Sequence, residues 1–140
     1  MLDLHAMAPD FTAVDQDNRS VSLQDFRGKY VILYFYPKDD TPGCTTEACS
    51  LRDNYKDLQE KAVVIGVSTD SVASHKKFAD KYHLPFILLA DTEKTIIKAY
   101  DADGIFAKRI TYLIDPDGKI VKAYPKVDPS THAEEILRDI

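Results

Sequence analysis

Two cysteines, Cys44 and Cys49, stand five residues apart in Pro37-Lys-Asp-Asp-Thr41-Pro42-Gly43-Cys44-Thr45-Thr46-Glu47-Ala48-Cys49. Three chemistries suit such a pair. Buried and unactivated, the two are inert structural thiols. As zinc ligands they need two or more partners, and His5, His75, His83 and His132 include no two at ligand spacing. As a redox pair they need an activated nucleophile and a resolving thiol. Pro42 and Gly43 form a turn, so Cys44 falls in or just before the first turn of a helix. The free N–H groups and partial positive charge there favour a thiolate, which is the nucleophilic form. That position, the Thr-Pro-Gly lead-in and the second thiol within reach favour the redox pair.

Helix geometry adds a constraint. At about 100° per residue, Cys44 shares a stripe with Ala48, Leu51, Tyr55 and Leu58, while Cys49 lies about 140° away. Five helical residues separate the two Cα atoms by roughly 8–9 Å. A disulfide needs them within about 7 Å. Pairing Cys44 with Cys49 therefore requires the first turns of the helix to unwind.

The elements around this stretch follow from periodicity. Tyr30 to Tyr36 is an apolar run bounded by Pro37, the pattern of a buried strand, and the cysteine helix after it is expected to reach about Leu58. Phe11–Val14 and Val21–Leu23 flank the turn-rich Asp15-Gln-Asp-Asn18 and predict an N-terminal hairpin. Ala62–Val67 is a second buried strand. Asp70 is expected to cap a helix from Ser71 to Tyr82 with Val72, His75, Ala79 and Tyr82 on one face. Leu84–Leu89 leads into a short strand, Asp91 into a short helix through Tyr100, and Asp101–Lys108 reads as loop. Arg109–Ile114 and Lys119–Ala123 flank Asp115-Pro-Asp-Gly118, a strong hairpin signal. Thr131-His-Ala-Glu134 predicts a capping box for the C-terminal helix. Strand–helix–strand units imply parallel pairing and the hairpins add antiparallel strands. The expected fold is α/β: a mixed central sheet with helices on both faces and an N-terminal β-hairpin.

The chain has 140 residues, which predicts one domain over 1–140. A net charge of −5 without basic runs argues against nucleic acid and anionic membranes as partners. Met1-Leu-Asp-Leu-His5 lacks the basic and apolar regions of a secretory leader, which predicts a cytoplasmic location. Cysteines in a reducing compartment are catalytic or metal-binding more often than structural. His75 and His132 read as ordinary helix residues rather than catalytic bases, and Asp39-Asp40 as solvated loop charges.

Pro37-x-x-x-Thr41-x-x-Cys44 resembles the active-site motif of the peroxiredoxins. The fuller Thr41-Pro-Gly-Cys-Thr-x-Glu-Ala-Cys49 resembles the bacterioferritin comigratory protein, or peroxiredoxin Q, branch. The similarity continues through Ala8-Pro-Asp-Phe11, Tyr34-Phe-Tyr-Pro-Lys38, Gly66-Val-Ser68, Ser74-His-Lys-Lys-Phe78, Arg109-x-Thr-Tyr-Leu-Ile-Asp115 and His132-Ala-Glu-Glu135. The resemblance implies a thioredoxin fold and an antioxidant thiol peroxidase without cofactor or metal. By motif, Cys44 matches the peroxidatic nucleophile, Cys49 the resolving cysteine and Arg109 the arginine that completes the site. Thr41 matches the hydroxyl that bonds thiolate and peroxide, and Pro37 the residue shielding the sulfur. Gly43 and Glu47 are supporting positions, Glu47 orienting the arginine. The implied cycle is atypical two-cysteine: an intramolecular Cys44–Cys49 disulfide, a monomer, hydrogen peroxide and organic hydroperoxides as substrates, and thioredoxin or glutaredoxin as reductant. The rival classes are a thioredoxin-like disulfide reductase, whose usual Cys-x-x-Cys spacing is absent, and a peroxide-sensing switch. The chain departs from the pattern at His5-Ala-Met7, at Asn18 and at Asp101, where glycine-containing turns are usual.

Overall fold

The computed structural model describes all residues 1–140. Seven strands form one mixed sheet: β1 (Thr12–Asp15), β2 (Ser20–Ser22), β3 (Tyr30–Phe35), β4 (Ala62–Ser68), β5 (Ile87–Ala90), β6 (Ile110–Ile114) and β7 (Ile120–Tyr124). Their spatial order is β2-β1-β5-β4-β3-β6-β7. β3, β4 and β5 pair in parallel, as their helical crossovers require, and the remaining pairs are antiparallel. The helices are α1 (Pro42–Asp53), α2 (Tyr55–Leu58), α3 (Val72–Tyr82), α4 (Thr95–Ala99) and α5 (His132–Asp139). The sheet and its covering helices are those of the thioredoxin fold.

Alternation along β3 divides the core. Val31, Leu33 and Phe35 face the layer containing Ile96 and Ile97 of α4. Ile32, Tyr34 and Tyr36 face Cys44, Ala48 and Leu51 of α1, Phe78 of α3 and Ile136 of α5. β3 is buried on both faces, which is why its sequence is a continuous apolar run. No helix is long and apolar enough to cross a membrane.

Three local expectations are corrected. The cysteine helix does not run unbroken to Leu58: it stops at Asp53, and Asn54, at φ −103° and ψ 7°, separates it from α2. Asn54 donates its side-chain amide to the Ser50 carbonyl at 2.8 Å, the competition with backbone bonding that makes asparagine a poor helix interior residue. Asp70 does not cap α3; Ser71 does, accepting from the Ser74 N–H. The Thr131 capping box does not form. His132 instead bonds Glu135 at 2.9 Å and the Thr111 hydroxyl at 2.8 Å, tying α5 to β6.

The three departures from the family pattern share one property. His5, Asn18 and Asp101 have φ of 68°, 60° and 59°, the left-handed region where glycine is unstrained. The Asp101 side chain pairs with the amine of Met1 at 2.9 Å, an exposed contact.

Candidate active site

The topology explains how residues 65 apart in sequence meet. β3 and β6 run antiparallel with Phe35 opposite Ile110, so the start of β6 lies beside the end of β3. Arg109 precedes β6, and the Pro37–Thr41 loop leaves β3 at the same edge. Thr41 is the N-cap residue of α1, Pro42 its first residue, and Cys44 sits in the first turn. The first helical backbone bond there is Thr45 N–H to Thr41 C=O at 2.8 Å, so the N–H groups before it find no upstream helical carbonyl.

Arg109 donates from Nη2 to Cys44 Sγ at 3.3 Å and from Nη1 to Glu47 Oε1 at 2.8 Å. The guanidinium therefore bridges the sulfur and a buried carboxylate one helical turn on. Gly43 makes the approach possible: a Cβ at that position would lie 2.9 Å from Arg109 Nη2. Cys44 is 2% exposed and Glu47 0%, so both interact in a medium of low effective dielectric. Burial pushes the Glu47 carboxyl up to about 7, outweighing the attraction of Arg109. Burial opposes the charge on Arg109, but its contacts with Cys44 and Glu47 prevail and hold its pKa above the ordinary value.

Two polar atoms in the interior have no hydrogen-bond partner, Tyr34 Oη and Glu47 Oε2. The Tyr34 pKa is pushed well up by burial, then by the charges of Glu47, Asp39 and Cys44. The Tyr34 ring occupies space that exists because residue 66 is glycine: a Cβ there would lie 2.6 Å from Tyr34 Cζ.

The remaining motif residues are distributed as follows. Pro37 is half-buried in the loop that leads to α1. The Thr41 hydroxyl donates to the Lys38 carbonyl at 2.9 Å, within the loop rather than to the sulfur. Cys49 is also in α1 but faces away from the core, into a surface cavity of about 560 Å³ lined with Thr45, Thr46, Ser50, Ser130 and Glu134. Both cysteines are free thiols. The structure thus brings Cys44, Gly43, Glu47 and Arg109 together and leaves Cys49 outside that cluster.

A second polar cluster adjoins the same loop. Asp39 is only 7% exposed, and it accepts from Tyr36 Oη at 2.6 Å and Ser74 Oγ at 2.8 Å. It also lies 2.7 Å from His75 Nδ1. Asp39 is therefore buried and paired rather than solvated, and His75 is a satisfied interior residue of α3. One sequence signal was available for them. His75 lies on the apolar stripe of α3, and a titratable group on a buried stripe demands a partner.

The AhpC/TSA family profile matches residues 4–123. The chain is 41% identical over 149 residues to peroxiredoxin Bcp of Bacillus subtilis, covering 99% of this chain and 95% of that one. It is 45% identical over 141 residues to the chloroplastic peroxiredoxin Q of Triticum aestivum, covering 96% of this chain and 65% of that one. Among solved structures, a cysteine-to-serine mutant of Xylella fastidiosa PrxQ superposes with a TM-score of 0.93 at 30% identity, covering 99% and 95% of the two chains. The Xanthomonas campestris bacterioferritin comigratory protein, described for its alkyl peroxide reduction activity, gives 0.90 at 31% identity, with 99% and 95% covered. The chain belongs to the AhpC/TSA family of peroxiredoxins, in its Bcp (peroxiredoxin Q) branch.

Proposed function

We propose that the chain is a thiol peroxidase that reduces hydrogen peroxide and organic hydroperoxides, with Cys44 as nucleophile and Cys49 as resolving thiol. The observation that carries this is the Arg109 guanidinium donating to Cys44 Sγ in the first turn of α1. A cation and a helix N-terminus on one sulfur are what a thiolate nucleophile needs. The thiolate attacks one peroxide oxygen in line with the O–O bond. The S–O bond forms, the O–O bond breaks, and the electron pair leaves on the distal oxygen, which takes a proton to give water or an alcohol. Arg109 and the free N–H groups of the first turn stabilise the charge that builds on oxygen. The Thr41 hydroxyl is near enough in sequence to turn from the Lys38 carbonyl toward a bound peroxide.

Cys49 then attacks the Cys44 sulfenic sulfur; the S–S bond forms and water leaves. Both thiols sit in one helix, so the unwinding required by their spacing applies to this fold. The first turns of α1 are built to unwind. Thr41 gives no side-chain cap, Gly43 is a weak helix former, and Thr46 Oγ1 bonds back to the Pro42 carbonyl at 2.9 Å. Farther along, Leu51 is fully buried and Arg52 donates to the Tyr82 carbonyl at 2.7 Å, which holds the second half in place. A dithiol protein of the thioredoxin class, approaching the cavity beside Cys49, donates two electrons by thiol–disulfide exchange, which returns Cys44 and Cys49 to thiols and leaves the dithiol protein as a disulfide. This cycle needs one subunit and a reducing compartment such as the cytoplasm.

The test is peroxide consumption with thioredoxin, thioredoxin reductase and NADPH. Sustained NADPH oxidation is expected. Cys49→Ser is expected to consume one equivalent of peroxide and then stall or overoxidise. Normal turnover by that variant removes Cys49 from the mechanism. Disulfide reduction of insulin without peroxide turnover would move the chain to the reductase class.

A further inference from the structure

The cluster next to the active-site loop contains a buried histidine with a hydrogen bond at each ring nitrogen. His75 is fully buried, and its Nε2 lies 2.9 Å from the Leu89 carbonyl oxygen. A carbonyl only accepts, so Nε2 carries a hydrogen. The other nitrogen, Nδ1, lies 2.7 Å from Asp39 Oδ2. Neutral at Nδ1, it would set one lone pair against another at that distance. A proton therefore sits between them. Asp39 also accepts from the Tyr36 and Ser74 hydroxyls, and three donors around one carboxylate stabilise its charge. The other ionisable groups facing the pair are Tyr36, whose hydroxyl is 3.4 Å from Nδ1, and Asp70, whose Oδ2 takes the Asp39 backbone N–H at 2.8 Å.

This pair grips the loop that carries the nucleophile. Asp39 is five residues before Cys44. The next residue, Asp40, has φ of 57°, and its exposed side chain accepts from Lys81 at 2.7 Å and Tyr82 at 2.8 Å. Two consecutive loop residues are thus fastened to α3, the first of them in the interior. We propose that His75, hydrogen-bonded between Asp39 and the Leu89 carbonyl, is a positioning residue for the reaction at Cys44. It fixes the Pro37–Thr41 loop, and through it the first turn of α1 against Arg109. The same clamp sets the upstream limit of unwinding when Cys44 pairs with Cys49. This inference rests on the peroxidase reading of Cys44.

Single-turnover kinetics test it. The rate of Cys44 oxidation by hydrogen peroxide in a single turnover is expected to fall about ten- to a hundredfold in His75→Gln, the size of effect that misplacing a reacting group produces. The comparison is made well below the melting temperature of both proteins. A folded His75→Gln with the wild-type rate overturns the proposal, since a merely structural histidine would lower the melting temperature and leave the rate alone. Ser74→Ala, which removes one donor to Asp39, carries the test if His75→Gln does not fold. A fall of about threefold is expected from the loss of one such bond, and an unchanged rate overturns the proposal. A wild-type chain inert to peroxide removes the peroxidase reading and this proposal with it, whereas a reactive wild type with unchanged variants removes this proposal alone.

Discussion

Tyr34 and Tyr36 lie on the same face of β3, their rings stacked at 5.4 Å, yet their hydroxyls enter opposite kinds of surroundings. Tyr36 belongs to the Asp39–His75 cluster, where every buried polar side-chain atom has a partner. Tyr34 belongs to the Cys44 side, where its own hydroxyl and one Glu47 oxygen have none. In the first cluster every buried polar side-chain atom is paired within the protein. That cluster holds a loop in place. The second is undersaturated, with a cation shared between a sulfur and a carboxylate and with acceptors unspent. On the proposed reading of Cys44 as the nucleophile, a site that receives a peroxide and stabilises transient charge needs that reserve, and carries the cost of it before substrate arrives. The fold places the two clusters side by side on one face of the sheet, at the end of β3.

The contrast can be broken most severely at the sulfur. Cys44→Ser is expected to abolish peroxide consumption entirely; residual turnover would move the nucleophile elsewhere. Arg109→Gln comes next, with a loss of about 10²–10³-fold in the rate of Cys44 oxidation, the usual effect of removing one charge-stabilising donor. Stopped-flow measurement of that rate, compared at matched folding stability, checks it.

Glu47 adds a pH dependence. Its folded value, about 7, lies above the 4.5 of the free carboxyl, so the folded state holds its proton more tightly than the unfolded state does. The associated stability is fully present below pH about 4.5 and is lost as pH rises through about 7. Relative to Glu47→Gln, which does not titrate, the wild type is expected to lose up to about 3 kcal/mol across that window. Parallel urea-denaturation profiles for the two proteins across that pH range would refute this. The tyrosine pair gives the smallest and sharpest comparison. Tyr36→Phe strips Asp39 of a donor and is expected to cost about 1–3 kcal/mol. Tyr34→Phe removes a hydroxyl that bonds nothing and is expected to be neutral or stabilising by about 1 kcal/mol. Equal costs in urea denaturation would erase the distinction between the clusters.

Much of this was legible in the chain. The apolar run of β3, the alternation of the hairpins and the stripe of α1 follow from side-chain periodicity, which is local. The placement of Cys44 in a first turn follows from Pro42 and Gly43, also local. Where the pattern misleads, a non-local partner intervenes. Asp70 looks like the cap of α3 but binds the Asp39 N–H from another loop, so Ser71 caps instead. Thr131 and Glu134 have capping-box spacing, but His132 is drawn to Thr111 of β6 and the box does not form. Asp39-Asp40 reads as a hydrated acidic pair; only the packing of α3 against the loop shows one of them buried.

The sequence by itself determined the two thiols, their spacing, the helix start beneath Cys44 and the requirement that this helix unwind before a disulfide forms. Each of these depends on residues within one turn or one strand of each other. The tertiary structure alone decided that the guanidinium of Arg109 reaches Cys44 at 3.3 Å and shares itself with Glu47. It also decided that burial raises the Glu47 pKa and that His75 and Asp39 meet in the interior at 2.7 Å. Those properties come from burial and from contacts between segments far apart in the chain. Desolvation and through-space charge have no counterpart in local sequence pattern.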